Sequence, residues 1–367
     1  MTINREVARI ASRTNKIDRN HIYPLVMNGD MRVAQRGTST SSVSTDVYTC
    51  VDRWRTNIDN YGAYTISQST TVPSGQGFKH SFKIDCTTAD ASPAAGDLFT
   101  FEQRFEGQEV QMFKKGTSSA ERYTVAFWIR SNLTGNFALN LVDSDNSRRV
   151  GSLVNISSAD TWEKKVISFP KDTTGAFDDD TADSFRIQLF LGVGSNFTSG
   201  TLPTSAWESA TTANFAAGQS AFIGSSTSNE LYITGVQLEV GDFNADTIPP
   251  FQFEPTRENL NRCLRYFKQI DKETDYGAVM MAHGINSNSA RGAYFFNPPM
   301  RSAPSFVRTG DFIRSFGDAT ANTTAAATSS RYSHAIDFTN SGAYDLDDGI
   351  LITFKTTAAS LTYDSEL

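Results

Sequence analysis

No stretch limits the fold of this chain as tightly as residues 229–271, which read NELYITGVQLEVGDFNADTIPPFQFEPTRENLNRCLRYFKQID. The first part alternates. Leu231, Ile233, Leu238 and Val240 share one face of a strand only if an extra residue near Gly235 is absorbed as a β-bulge. Pro249 and Pro250 cannot donate ladder hydrogen bonds, so the spacing predicts that the sheet ends there. Leu260, Cys263, Leu264 and Phe267 then recur at the three- and four-residue intervals of a helix, with Pro255 placed for its first turn. That apolar stripe is too narrow to stand alone. It reads as a hinge helix over 251–272, between a large β-domain over 23–250 and a small one over 273–367.

A chain of 367 residues is long enough for two or three domains. Its 26 Phe, 12 Tyr and 4 Trp, set among abundant Thr, Ser, Asn, Asp and Gly, favour short strands joined by polar turns over helical bundles. The formal charge of -7 argues against a general nucleic-acid binder, and no nucleic-acid partner is expected. Cys50, Cys86 and Cys263 match no zinc or redox spacing and are expected to be reduced and buried. The first residues lack a signal-peptide core, and nowhere do eighteen apolar residues run together, so membrane insertion is not expected.

Taken in order, residues 1–22 carry Ile3, Val7, Ile10 and Ile17 at spacings of a short heptad-like seam, an assembly or attachment helix. Asn28-Gly29 marks a turn leading into a strand, and 38–45 resembles an exposed loop. Short strands are expected at 48–54, 61–66, 78–86, 97–105, 123–130, 137–141, 149–154, 162–168, 185–191 and 231–240. Trp128 opposes the Tyr123, Val125, Phe127 and Ile129 face of its strand, which implies either a doubly covered strand or a Trp exposed for recognition. Residues 192–218 are low in charge and form an excursion from the sandwich. Further strands are expected at 276–285, 290–296, 305–315, 333–339 and 349–356. The fold class is therefore mostly β: a large β-sandwich with a short N-terminal helix, a hinge helix and a second small β-sandwich domain.

Catalytic chemistry requires convergent groups, and the sequence offers few. A glycosidase needs two carboxylates across a cleft, and Glu102, Glu106 and Glu109 single out no such pair. His283 with Ser287 or Ser289 lacks an orienting third residue. No Walker loop, dinucleotide fingerprint or HExxH is present, and no catalytic residue is assigned. Asp143 and Asp145, and separately Asp178, Asp179, Asp180 and Asp183, are oxygen clusters of the kind that calcium takes, or else solvated turns. Glycan recognition asks for an aromatic platform flanked by planar polar groups. Phe197, Trp207 and Phe215, with Asn196, Asn214 and Glu208, meet that description by composition.

The ordered set VMNGDMRVAQRG, YTCVDRWR, SGQGFKHSFKIDCTTAD, GQEVQMFKKG, YTVAFWIRSN, DTWEKKVISFP, LYITGVQLEVG and NLNRCLRYF, spread over residues 26–268, resembles a group of tailed-phage virion proteins, tail-fibre or receptor-binding-like, abundant in phages of marine bacteria such as cyanophages. The resemblance implies a jelly roll similar to carbohydrate-binding modules, carried on the virion in an oligomer, a trimer by preference. It implies attachment through the N-terminus, other virion proteins as partners, and host surface glycan as a further ligand. Two alternatives stand beside this non-enzymatic reading. One is a capsid or tail decoration protein that binds only virion subunits; the other is a host-surface glycan hydrolase.

Overall fold

The structure, a computed structural model, describes residues 23–271, 278–314, 320–323, 328–339, 346, 349–354 and 359–367. The expected attachment helix and its seam, Ile3, Val7, Ile10 and Ile17, lie outside the described residues. The chain divides into two compact units, one of residues 1–259 with Leu367 and one of residues 260–366.

Among the described residues the first unit carries thirteen strands. They are β1 (Ser39–Val43), β2 (Val47–Tyr48), β3 (Arg55–Asp59), β4 (Ala63–Ser69), β5 (Ser81–Thr88), β6 (Leu98–Glu106) and β7 (Tyr123–Ser131). Then come β8 (Gly135–Asp143), β9 (Arg148–Ile156), β10 (Glu163–Phe169), β11 (Asp183–Val193), β12 (Glu208–Ser209) and β13 (Glu230–Val240). They make a six-stranded sheet, β1-β4-β5-β13-β7-β10, and a seven-stranded sheet, β12-β9-β8-β11-β6-β3-β2, antiparallel throughout. One core joins them. Tyr64, Phe82, Ile84, Tyr123, Val125, Phe127 and Ile233 from the first sheet are buried with Phe99, Phe101, Leu139, Leu141, Ile187 and Leu189 from the second. The sandwich is mostly β and jelly-roll-like, and it leaves each sheet one outward face.

The bulge expected near Gly235 is present: β13 shifts register against β7 between Thr234 and Gln237, and Gly235 has φ +64. A side chain there would meet the Phe78 ring at 2.5 Å. The N-terminal turn docks on the same irregularity, where the Val236 N–H donates to the Gly29 carbonyl at 3.0 Å. Asn28, at φ 53, is fully buried. It donates to the Val33 and Asp52 carbonyls, accepts from the Val33 N–H, and its own carbonyl accepts from the Trp54 indole at 3.0 Å. The Asn28-Gly29 turn thus plugs the sandwich; no strand follows it until β1, since its polar groups are already used inside the plug.

Several further expectations need correction, among them the strand expected at 48–54, of which only Tyr48 lies in a strand. Residues 38–45 are not wholly a loop, because their Ser/Thr run forms the edge strand β1. The first sheet ends at Val240, before Pro249, where Gly241 turns the chain at φ +129. The hinge helix is short: α1 spans Thr256–Cys263, and Leu264 only extends its last turn through an N–H donated to the Leu260 carbonyl. Phe267 begins a strand, because a partner almost a hundred residues on, Asp364, pairs with it. The break between the two compact units falls inside α1, between Asn259 and Leu260, so residues 251–259 belong to the first unit.

In the second unit, β14 (Phe267–Asp271), β15 (Ala278–Asn286), β16 (Ser289–Phe295), β17 (Ser305–Thr309) and β18 (Phe312–Arg314) lead to β19 (Thr320–Thr323), β20 (Thr328–Ser329), β21 (Ser333–Thr339), β22 (Gly349–Phe354) and β23 (Ser360–Asp364). A three-stranded sheet runs β14-β23-β17. The other sheet closes on itself, because β16 pairs with both β15 and β21. Its core includes Met280, Ala290, Phe312, Ile336, Phe338, Ile352, Leu361 and Tyr363.

Candidate functional site

An antiparallel sheet with one face in the core ordinarily presents alternating polar side chains to water. On the outward face of the seven-stranded sheet, many of those positions are polar and yet closed off from solvent. Cross-strand partners give the first row as Tyr48, Arg55, Glu102, Gln188, Asn140 and Gly151. The next row is Arg104, Arg186, Val142, Arg149 and Glu208. Glu102 and Asn140 are fully buried, and Gln188 nearly so.

The charges are organised around Glu102. One of its oxygens accepts from Arg55 at 2.5 Å and from Arg104 at 2.8 Å, while the other accepts from Gln188 at 2.8 Å. Arg55 also pairs with Asp46, and Asp183 binds Arg186 at 2.6 Å and Arg104 at 3.5 Å. Burial pushes the Glu102 carboxyl up from the ordinary value, opposed by the Arg55 and Arg186 guanidiniums and by the Gln188 hydrogen bond. Burial likewise raises Asp183 against the pull of Arg186.

Arg149 is the exception. Its Nη1 donates to the Gln188 side-chain oxygen at 2.8 Å, and its guanidinium lies 3.6 Å from the centroid of the Phe215 ring. Its buried Nε has no hydrogen-bond partner, and among the described residues no carboxylate lies within ion-pairing distance. Burial, with Arg186 nearby, pushes this guanidinium down to about 9 against the opposing pull of the more distant Glu102, so it is still charged at neutral pH.

The excursion after β11 folds over one end of this face. Phe190, Phe197 and Phe215 form a ring triad with centroids 6.2–6.4 Å apart. Asn140 donates to the Phe215 carbonyl at 2.8 Å. Of the six residues singled out in the sequence for glycan contact, the structure brings Phe215 and Glu208 to the Arg149 end. Asn214 spends its side-chain oxygen on the Thr201 N–H, and Asn196 is exposed on the 195–197 turn. Phe197 is 8% exposed and Trp207 is 5% exposed, so neither is a platform. Trp207 alternates with Glu208 and points into the sandwich core, its indole donating to the Pro170 carbonyl at 2.8 Å. Composition alone cannot tell the inward side of a short edge strand from the outward one.

The acidic loops have the arrangement of solvated turns, the second of the two readings the sequence allowed. Asp178, Asp179 and Asp180 are exposed, and Asp183 is committed to Arg186 and Arg104. Among the described residues no three His, Cys, Asp or Glu side chains converge as a metal site. The oxygen cage nearest in character to one contains Asp143, and an amine already fills it. The fully buried Lys115 ammonium lies 2.5 Å from Asp143 and 3.1 Å from Asp172, and donates to the Thr174 and Gly175 carbonyls at 2.8 and 2.7 Å. Burial works to raise Asp172, but hydrogen bonds from Arg148, the Thr174 N–H and Lys115 outweigh it and hold that carboxyl below its ordinary value.

On the outward face of the six-stranded sheet, Lys83, Tyr232 and Arg130 form one row. Trp162 approaches Tyr232 edge-on at 6.2 Å, and Trp128 is partly exposed. Here the cations are matched: Glu230 lies 3.0 Å from Lys83, and Asp160 lies 2.9 Å from Arg130. The core encloses an apolar cavity of about 20 Å³ beside Trp54 and Phe101. That is room for little more than one water, in a place with nothing to hold it. The second unit has a shallow groove of about 560 Å³ along Met281, His283, Arg291 and Phe295. Sequence reasoning missed Arg149, Gln188, Arg186 and Glu102 as a group. Their only signal was a charged or amide residue at every second position of strands whose other positions are apolar.

No family model matches the chain, and no curated protein matches it. Solved structures with some likeness include a tailspike protein 4 enzymatically active domain of bacteriophage CBA120, at 12% identity over 59% of this chain and TM-score 0.29. The chain spans only 21% of that protein's length. A sugar-binding protein described from Bacteroides thetaiotaomicron matches at 13% identity over 59% of this chain and all of its own, TM-score 0.32. The CBM22-1 xylan-binding domain of Paenibacillus barcinonensis Xyn10C matches at 9% identity over 60% of this chain and 97% of its own, TM-score 0.28. TM-scores of that size carry nothing about ligand or assembly over to this chain.

Proposed function

We propose that this chain is a non-catalytic glycan-binding structural protein of a tailed-phage particle, tail-fibre or receptor-binding-like. The observation that carries the glycan reading is the outward face of the seven-stranded sheet. Rows of guanidinium, carboxylate and amide groups there are locked in place by one another, with Tyr48 and Phe215 at the ends. The partly exposed members, Arg55, Arg104, Arg149 and Arg186 with the rings of Tyr48 and Phe215, suit a sugar's hydroxyls and apolar face, and the buried Glu102 and Gln188 beneath hold them rigid, which lowers the ordering cost of binding. The virion reading rests on the resemblance of residues 26–268, as do attachment through residues 1–22, location on the particle and a trimeric state. Multiplicity on a particle compensates for weak single contacts.

A glycan array with the wild type and with Phe215→Ala and Tyr48→Ala tests the binding reading. Binding by the wild type and its loss in both variants is expected; retained binding in both overturns the assignment to this face. Gold-labelled antibody on intact particles tests the location, and absence of label on both tail and capsid contradicts it. The exposed Met281 and Phe295, 63% and 73% accessible, favour a second reading in which the small unit packs on other virion subunits as a decoration protein. For a hydrolase, Glu102 is ill suited as a general acid, since both oxygens already accept hydrogen bonds and the side chain is closed to solvent. Release of saccharide products that vanished in Glu102→Gln would reverse that assignment.

A further inference from the structure

We infer that the glycan held on this face is acidic, and that the Arg149 guanidinium, completed by Arg186, binds its anionic group. The inference rests on the glycan reading above and adds the chemical class of the sugar. Four guanidiniums occupy the two outward rows, those of Arg55, Arg104, Arg149 and Arg186. Three have carboxylate partners: Asp46 and Glu102 for Arg55, Glu102 and Asp183 for Arg104, and Asp183 for Arg186. Arg149 has none.

A buried or half-buried charge without a counter-ion is costly, and a fold keeps one where something supplies the opposite charge. Arg149 is also held ready. Phe215 stacks on its guanidinium, Gln188 takes Nη1, and the enclosed Nε–H has nothing to donate to. The flat fork of a guanidinium presents paired donors that suit a carboxylate or a sulfate. Arg186, at 25% exposure, stands in the same row with only Val142 between them, so one oxyanion can be drawn to both cations. Glu208 is the ladder partner of Arg149, yet it is exposed and forms no ion pair with it.

The other outward face supplies the contrast. Its Lys83 and Arg130 beside Tyr232 are neutralised by Glu230 and Asp160. An aromatic row with balanced charge gives no preference for an anionic sugar. The preference therefore belongs to the Arg149 end of the seven-stranded sheet.

The test uses the full chain, with three classes of polysaccharide in affinity electrophoresis: neutral, uronate-bearing and sulfated. Beside it runs a thermal-shift titration with free glucuronate, inorganic sulfate and glucose. The uronate or sulfated polymer is expected to bind better than the neutral one. Arg149→Gln, which keeps a donor for Gln188, should weaken the acidic polymer by about tenfold or more and the neutral one by a clearly smaller factor. The two acidic polymers tell a carboxylate from a sulfate ligand. Equal wild-type affinity for neutral and acidic polymers, or undiminished acidic binding by Arg149→Gln, overturns the inference and leaves the glycan reading standing. If no polymer binds but glucuronate or sulfate raises the melting temperature of the wild type and not of Arg149→Gln, the anion site stands and the glycan reading fails. If neither polymer nor small anion has an effect, both fail.

Discussion

Lys115 and Arg149 are both cations withdrawn from water in the same sandwich, and their surroundings are opposite. Lys115 sits among two carboxylates and two carbonyls and is fully buried. Arg149 sits among an amide, an aromatic ring and another arginine, with an edge towards solvent, and neither Glu102 nor its ladder partner Glu208 forms an ion pair with it. The difference separates structure from function on physical grounds. A cation caged by oxygens has its counter-charge built in and holds loops together, whereas a fixed cation lacking a counter-charge has a vacancy for a ligand.

The largest effect should come from breaking the caged side. Lys115→Met leaves Asp143 and Asp172 buried without their cation, and denaturant unfolding should show a loss of about 3–5 kcal/mol. A loss below about 1 kcal/mol would mean that the cage is not structural. The pH response of the same cage follows from Asp172, whose carboxyl is held below its ordinary value. Its contribution is fully present above the unfolded value of about 3.9 and is lost as pH falls through the lower folded value. Thermal melts of the wild type and Asp172→Asn should therefore differ least in pH dependence above pH ~4 and most below it. Parallel curves throughout would remove Asp172 from the acid response.

The open side should behave differently. Arg149→Gln breaks no ion pair, so stability should change by no more than about 1 kcal/mol in either direction. A loss as large as that of Lys115→Met would make Arg149 a structural residue and erase the contrast. The smallest effect is expected for Glu230→Gln on the six-stranded sheet. Its pair with Lys83 is partly solvated and worth about 0.2–1 kcal/mol, and glycan affinity should not move.

Much of the sandwich was legible in the sequence because its strands alternate. The expected segments around β4, β5, β6, β7, β10 and β11 fall within a few residues of the observed ones, and Gly235 marked the bulge in β13. Phe267 misled because its three- and four-residue spacing from Cys263 and Leu264 is local, while its strand partner near Asp364 is remote in sequence. Trp207 misled for a related reason. Its loop looked irregular, so nothing in the sequence said which side of β12 faces Tyr123 and the core. The Arg149 group was the least legible. Arg55, Glu102, Gln188 and Arg149 each look like an ordinary outward-facing residue of its own strand, and only the ladder β3-β6-β11-β8-β9 brings them to one place. The candidate site is a property of sheet order, which no single stretch encodes.

The most direct test of the contrast is an NMR titration of the full chain with a uronate oligosaccharide, following arginine Nε–H and aromatic resonances. The account predicts that Arg149, Arg186 and Phe215 shift on binding while Tyr232, Trp162 and the surroundings of Lys115 stay still. Shifts centred on Tyr232 and Trp162, with Arg149 unmoved, would contradict it.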